Sequence, residues 1–323
     1  MVKKENMKIL VTGAAGFIGS HLCDALVKEH KVFGLDNFCD FYDPKIKWDN
    51  IKDLLKKDNF RIFEYDIRDV SGLDKMFSEN SFDMVIHLAA MAGVRPSIEN
   101  PKLYTEVNIN GTVNLLAECR KNNIRNFIFA SSSSVYGNNK KVPFSEDDPV
   151  DFPISPYAST KKACELICHA FHHLYDISLL CLRFFTVYGP RQRPDLAIHK
   201  FTRLMLDGKP IPVFGDGSTQ RDYTYIADII DGVLKSIDYV QTGNHYEIFN
   251  LGESQTIKLS KMIFTLENAL NLKAKKKQFP FQPGDVNITY ADISKSRKIL
   301  GYNPQTKFND GISKFIEWIK RKR

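Results

Sequence analysis

Short apolar runs alternate along this chain with longer segments whose apolar positions recur every three or four residues. Ile9-Leu10-Val11 leads into a glycine-bearing turn, a helical segment to about Lys28, and a second apolar run, Val32-Phe33-Gly34-Leu35. That succession is one βαβ unit. Further runs at Phe60 to Tyr65, Met84 to His87, Phe127 to Ala130 and Leu179 to Phe184 are each separated by segments of helical length. Strand and helix alternating in this way predict an α/β fold, a doubly wound parallel sheet covered on both faces. After Phe185 the alternation weakens and Pro and Gly thicken, through Gly189-Pro190, Pro194, Gly208, Pro210, Pro212, Gly215 and Gly217. The pattern therefore divides the chain into a main domain over 1–185, rejoined by about 222–251, and a smaller C-terminal α/β part over 186–323. Amphipathic helices are expected in the latter near 258–271 and 309–321.

Gly13, Gly16 and Gly19 stand between the first strand and the first helix. Glycine is needed where backbone must turn tightly and approach a pyrophosphate, which then sits against the positive end of the helix. Asp36 ends the second strand about 20 residues on, where a carboxylate can bind the adenosine ribose hydroxyls. The arrangement predicts a Rossmann-type dinucleotide site. That carboxylate would repel a 2′-phosphate, so NAD is favoured over NADP. Asp66, after the third strand, fits either a bond to adenine or a cap on the next helix.

Tyr157 and Lys161 lie four apart in Ser155-Pro156-Tyr157-Ala158-Ser159-Thr160-Lys161, with Pro156 suited to an early helix position. Positions i and i+4 share a face. A phenol ordinarily titrates near pH 10, but a nearby ammonium and a cationic nicotinamide both favour phenolate. Such a pair can take a proton from a substrate hydroxyl while hydride leaves carbon for a cofactor. Upstream, Phe127-Ile128-Phe129-Ala130 ends in Ser131-Ser132-Ser133-Ser134, hydroxyls at the carboxyl end of a parallel strand where ligands gather.

On these features the chain resembles the extended short-chain dehydrogenases/reductases, and within them the UDP-sugar 4-epimerases. The likeness runs nearly the whole length, through the glycine turn, His87-Leu88-Ala89-Ala90, Ser132 with Tyr157 and Lys161, Arg183-Phe184-Phe185-Thr186-Val187-Tyr188-Gly189-Pro190, and Arg221-Asp222-Tyr223-Thr224-Tyr225-Ile226. It implies a catalytic set of Ser132, Tyr157 and Lys161, with 1–185 binding NAD and 186–323 mainly binding the UDP-sugar. Cofactor contacts are implied for Gly13, Gly16, Phe17, Ile18, Gly19, Asp36, Asn37, Asp66, Ile67, Leu88, Ala89, Ala90, Asn108, Tyr157 and Lys161. Substrate contacts are implied for Arg95, Ser132, Ser133, Ser134, Thr186, Arg193, Val213, Arg221 and Asp285.

Two details narrow the reaction. Dehydratases of this family carry an Asp-Glu pair after the catalytic hydroxyl, and decarboxylating relatives carry a Glu, whereas this chain has Ser133 and Ser134. Without that acid and base, water elimination loses its machinery, leaving oxidation to a 4-keto sugar, rotation and re-reduction. The words Ala92-Gly93-Val94-Arg95-Pro96-Ser97, Arg191-Gln192-Arg193-Pro194-Asp195 and Gln282-Pro283-Gly284-Asp285-Val286 resemble the UDP-glucuronate 4-epimerases. In those enzymes the positions of Ser133, Ser134 and Thr186 hold the uronate carboxylate. UDP-glucose or UDP-N-acetylglucosamine epimerisation, UDP-glucuronate decarboxylation, and a non-catalytic NAD-binding regulator are the alternatives. Arg221 and Arg193 are expected on the diphosphate and nearby anionic groups, or else in surface ion pairs. Glucose-type epimerases usually carry a further arginine where this chain has Gln282.

Composition changes little. The 323 residues are 43% hydrophobic and 26% charged, an ordinary globular balance. The net charge of +7 is concentrated near the C-terminal end, in Lys273, Lys275, Lys276 and Lys277 and in Lys320-Arg321-Lys322-Arg323. These runs lack interleaved aromatics, so a solvated face and frayed tail are expected and no nucleic-acid partner. Cysteines at 23, 39, 119, 164, 168 and 181 show no paired spacing, and no stretch approaches the roughly 20 apolar residues of a membrane span. A cytoplasmic protein with no membrane partner is expected. His169, His172 and His173 share a helix face, but the scheme needs no metal and none is assigned. The resemblance implies a homodimer joined by a four-helix bundle from about 101–121 and 157–175.

Overall fold

The computed structural model describes residues 6–281 and 286–322. Among them the strands are β1 (Lys8–Thr12), β2 (Lys31–Leu35), β3 (Phe60–Phe63), β4 (Met84–His87), β5 (Asn126–Ser132), β6 (Ser178–Phe184), β7 (Thr186–Tyr188), β8 (Ile211–Phe214), β9 (Gln220–Tyr225), β10 (Tyr246–Leu251), β11 (Thr256–Lys258) and β12 (Lys276–Phe279). Seven form one sheet in the order β3-β2-β1-β4-β5-β6-β10, with every neighbouring pair parallel. The sequence order reverses between β1 and β4, and at such a switch point the carboxyl ends of the strands open a crevice.

Both faces of this sheet are covered. Along β1, Ile9 and Val11 pack into one apolar cluster and Leu10 into another, as the two-residue period of a strand requires. β6 is buried at every position, the mark of an inner parallel strand. β10 returns to the sheet beside β6 after the helix Ile226–Val240, in register Tyr246 with Leu179 through Leu251 with Phe184.

The long helix Pro156–Tyr175 begins where the sequence suggests. Pro156 occupies its first turn, Ser155 caps it by accepting from the Ala158 N–H at 3.1 Å, and left-handed Asp176 ends it. After Phe185 the strands gather into two small sheets, β11-β9-β7 and β12-β8. The amphipathic helices there are Leu259–Leu270 and Phe308–Arg321. β12 lies at a sheet edge and carries Lys276 and Lys277, both exposed, which keeps that edge from pairing further.

One local feature has no counterpart in the periodicity: Thr105–Asn110 is wound as a π-helix between Pro101–Tyr104 and Gly111–Lys121. Among the described residues no helix is long and apolar enough to cross a membrane. His169 and His172 pack their rings against Tyr246, and His172 Nδ1 bonds the Ile177 carbonyl at 3.0 Å, so two of the three clustered histidines serve packing.

Candidate active site

The crevice at the switch point is a single cavity of about 1110 Å³. Gly13, Gly16 and Gly19 line one end, and at Gly13 and Gly19 a side chain has no room. Gly13 has φ +69°, and a Cβ there would stand 2.9 Å from the Ala89 nitrogen; one on Gly19 would stand 2.0 Å from the Gly13 carbonyl oxygen. The helix Phe17–Leu26 starts after Gly16, and among the described residues no side chain caps its first N–H groups, so they face the cavity as an anion site.

Asp36 lies at the tip of β2 on the cavity wall and is 6% exposed. It accepts from the N–H groups of Ala15 (3.2 Å) and Phe38 (2.9 Å) and pairs with the Lys47 ammonium at 3.4 Å. Lys47 comes from the helix Pro44–Ile51 and is itself buried, a charged pairing the sequence reading missed. Asp66 is gripped by both Nε and Nη2 of Arg68 at 2.9 Å and takes an N–H from Asn37 at 2.8 Å. The Arg68 contact draws the Asp66 carboxyl down to about 2. The following helix is capped by Asp69, not Asp66, which removes the capping alternative. Phe17, Ile18, Asn37, Ile67, Leu88, Ala89 and Ala90 line the same wall.

At the middle of the cavity, β5 delivers Ser132, the turn that follows it delivers Ser133 and Ser134, and β7 delivers Thr186. Ser132 Oγ accepts from Ser134 N at 3.2 Å and from Ser134 Oγ at 3.0 Å. Opposite them the long helix presents Tyr157 and Lys161. Lys161 is 3% exposed, donates from Nζ to the Ala130 carbonyl at 2.6 Å, and lies 4.7 Å over the Phe129 ring. Beneath this, His87 bridges Thr12 Oγ1 (2.7 Å) and Thr112 Oγ1 (3.0 Å). Burial, with the positive Lys161 as a lesser cause, pushes that imidazole down to about 3, so it is a neutral strut.

Asn108 does not reach the cavity. From the π-helical turn its amide accepts from Met91 N (2.8 Å) and donates to Met91 O (3.0 Å) and Thr160 Oγ1 (3.0 Å). It ties the wall at Met91 to the helix that carries Tyr157 and Lys161.

At the far end the expectations fare unevenly. Arg95 lies over the Phe214 ring at 4.8 Å, and Arg221 lines the cavity from β9, its Nη1 donating to the Gln220 carbonyl at 2.8 Å. Arg193 also lines the cavity, but Asp195 takes its Nε at 3.0 Å and its Nη2 at 2.7 Å. A guanidinium expected on a ligand's anionic groups is thus already charge-compensated. Val213 is turned into the core, because the alternation of β8 gives its neighbours Pro212 and Phe214 to the cavity instead. Asp285 and Gln282 lie outside the described residues.

Comparison with known proteins identifies the family. Residues 10–315 match the model of the GDP-mannose 4,6 dehydratase family. A UDP-glucuronate 4-epimerase of Arabidopsis thaliana is 46% identical over 96% of this chain and 74% of its own length. One from Thermodesulfobacterium geofontis is 42% identical over 96% of this chain and 95% of its own. The crystal structure of UDP-glucuronic acid 4-epimerase from Bacillus cereus, in complex with UDP-glucuronic acid and NAD, superposes with a TM-score of 0.92 at 39% identity, covering 98% of this chain and 100% of that one. The chain belongs to the extended short-chain dehydrogenase/reductase family of epimerases and dehydratases.

In this extended short-chain dehydrogenase/reductase the run after β5 is hydroxyl, not carboxyl: Ser133 and Ser134 occupy a single tight turn, Ser133–Tyr136, on the cavity wall. Behind them Glu165 is consumed by a buried bidentate pair with Arg183, at 2.9 Å through both Nε and Nη2, and by Ser131 Oγ at 2.6 Å. It is not available to a ligand as acid or base.

Proposed function

We propose that the protein is an NAD-dependent UDP-sugar 4-epimerase that interconverts UDP-glucuronate and UDP-galacturonate. The observation that carries this reading is the convergence, in one cavity, of the glycine turn with Asp36, the Ser132, Tyr157 and Lys161 set, and the uncharged hydroxyls of Ser133, Ser134 and Thr186. The names and bound ligands of the relatives point the same way.

The residues present fit NAD. The open helix start after Gly16 suits the pyrophosphate, and Asp36 at the tip of β2 suits the ribose hydroxyls. When bound, NAD supplies an acceptor for hydride from C4 of the sugar and the donor that returns it. Tyr157 takes the proton of the C4 hydroxyl and gives it back, Ser132 hydrogen-bonds that oxygen, and Lys161 supports both the phenol and the nicotinamide ribose. Ser133, Ser134 and Thr186 hold the carboxylate, which uncharged donors can do in both orientations of the ring. They also keep it out of alignment for loss of carbon dioxide from the 4-keto uronate. Arg221 is the cation we assign to the diphosphate, with Arg95 and the Asp195-compensated Arg193 flanking it.

In this reading 1–185 with about 222–251 carries the cofactor, and 186–323 mainly carries the UDP-sugar. The protein works in the cytoplasm, as its unpaired thiols suggest. A homodimer through the helices near 101–121 and 157–175 is supported by Leu166 and Leu174, which are 60% and 64% exposed on the catalytic helix.

Incubation with UDP-glucuronate, UDP-glucose and UDP-N-acetylglucosamine separately, with products resolved chromatographically, tests the assignment. UDP-galacturonate is expected as the main product of the first. UDP-pentose would mean decarboxylation, and retained NAD with no conversion of any sugar would mean a regulator.

A further inference from the structure

Tyr104 is 1% exposed at the end of Pro101–Tyr104, directly before the π-helical turn. Its ring meets that of Tyr157 at right angles, with centroids 6.3 Å apart and planes at 86°. Its hydroxyl donates to the Ala92 carbonyl at 2.9 Å. Ala92 belongs to the cavity wall that runs from Met91, held by Asn108 at both backbone groups, to Arg95, laid over Phe214 of β8. Gly93, with φ +105°, makes the bend in that wall that brings the Ala92 carbonyl to the hydroxyl. Burial raises the Tyr104 phenol, so it stays a donor to Ala92 and does not compete with Tyr157 for the substrate proton.

One side chain therefore bears on the reacting phenol with its ring and on the substrate-side wall with its oxygen. An edge-to-face aromatic contact has a preferred direction, which apolar filler of the same volume lacks. A buried hydroxyl needs its acceptor, so the ring and the wall cannot shift independently.

We propose that Tyr104 is a positioning residue for the epimerisation, its ring setting the attitude of the Tyr157 phenol and its hydroxyl coupling that phenol to the wall from Met91 to Arg95. The proposal rests on the reading of Tyr157 as the proton acceptor.

Two variants separate the two contacts. Tyr104→Phe keeps the ring and loses the hydroxyl; Tyr104→Leu keeps apolar volume and loses the ring edge. For each, kcat, KM for UDP-glucuronate, the pH profile of kcat, and the melting temperature are measured beside wild type and Tyr157→Phe. Tyr104→Phe is expected to raise KM about threefold to tenfold with kcat nearly unchanged. Tyr104→Leu is expected to lower kcat by about 10- to 100-fold and to displace the limb of the pH profile set by Tyr157, which Arg193 also reaches electrostatically and with which Lys161 shares the cavity wall. Loss of melting temperature alone, or equal falls in both kinetic constants with an unmoved pH profile, would overturn the proposal. Should Tyr104→Leu fail to fold, the split in Tyr104→Phe decides: an unchanged KM rejects the coupling. If wild type does not epimerise, or Tyr157→Phe still turns over, the functional reading and this inference fall together. If those two behave as expected and the Tyr104 variants do not, this inference alone fails.

Discussion

The Lys161 ammonium donates to the Ala130 carbonyl at 2.6 Å, two residues before Ser132. That bond fastens the second turn of the helix Pro156–Tyr175 to the end of β5, and so ties together the two elements that carry the proposed catalytic set. Lys161→Met removes both this anchor and the charge that supports the phenol. Turnover should fall by about 10²- to 10⁴-fold, as for other general acid-base groups, and cofactor retention should fall with it. Steady-state rates and the NAD content of the purified protein check both. A variant with full rates would remove Lys161 from the chemistry.

Much of this site is readable along the chain because its residues are local. Gly13, Gly16 and Gly19 sit on one turn, Ser132 to Ser134 at one strand end, and Tyr157 and Lys161 on one helix face, so spacing groups them and the family resemblance supplies their roles. Contacts made across the fold are not readable that way. Lys47 reaches Asp36 only because the helix Pro44–Ile51 folds back over the tip of β2; Asp195 is only two residues from Arg193, and their ion pair is the alternative that the sequence left open for that arginine. Val213 illustrates a one-residue effect: on a strand a neighbour swaps faces, and no motif announces which one meets the ligand. The π-helical turn that aims Asn108 at Met91 leaves no mark in the hydrophobic period.

The Glu165–Arg183 pair is 0% and 1% exposed, and Arg183 also donates to the Tyr136 hydroxyl at 2.9 Å. Arg183→Met leaves a buried carboxylate without its partner. A loss of about 3–5 kcal/mol is expected in denaturant unfolding. Adding Glu165→Gln should return part of it, since the stranded charge is then gone. No recovery in the double variant would show that packing, not charge, governs the site.

Glu253 is lifted to about 8 from an ordinary 4.5, by burial first and then by the negative Asp228 and Asp222. Its N–H donates to Asp222 Oδ1 at 2.7 Å, and among the described residues its own Oε2 has no hydrogen-bond partner. A carboxyl raised on folding contributes stability that is whole below about pH 4.5 and is lost as pH rises through about 8. Glu253→Gln should therefore melt higher than wild type at pH 9, with the difference shrinking steadily toward pH 5. A constant difference across that range would mean that the carboxyl is not protonated in the folded chain.

Ser133 and Thr186 face the cavity with uncharged donors. If they hold the uronate carboxylate, Ser133→Ala should raise KM for UDP-glucuronate by about tenfold or more, as for hydrogen bonds to charged groups. Any change with UDP-glucose should be much smaller. Equal losses with both sugars would take the serine out of carboxylate recognition.

In the proposed reaction C4 is oxidised and reduced by the same held cofactor while Tyr157 moves only the hydroxyl proton. UDP-glucuronate carrying deuterium at C4 tests it directly, with both epimers followed by NMR and mass spectrometry. The UDP-galacturonate formed is expected to keep its deuterium at C4, and the recovered substrate to lose none. Deuterium washed out into water, or solvent hydrogen appearing at C4, would contradict it.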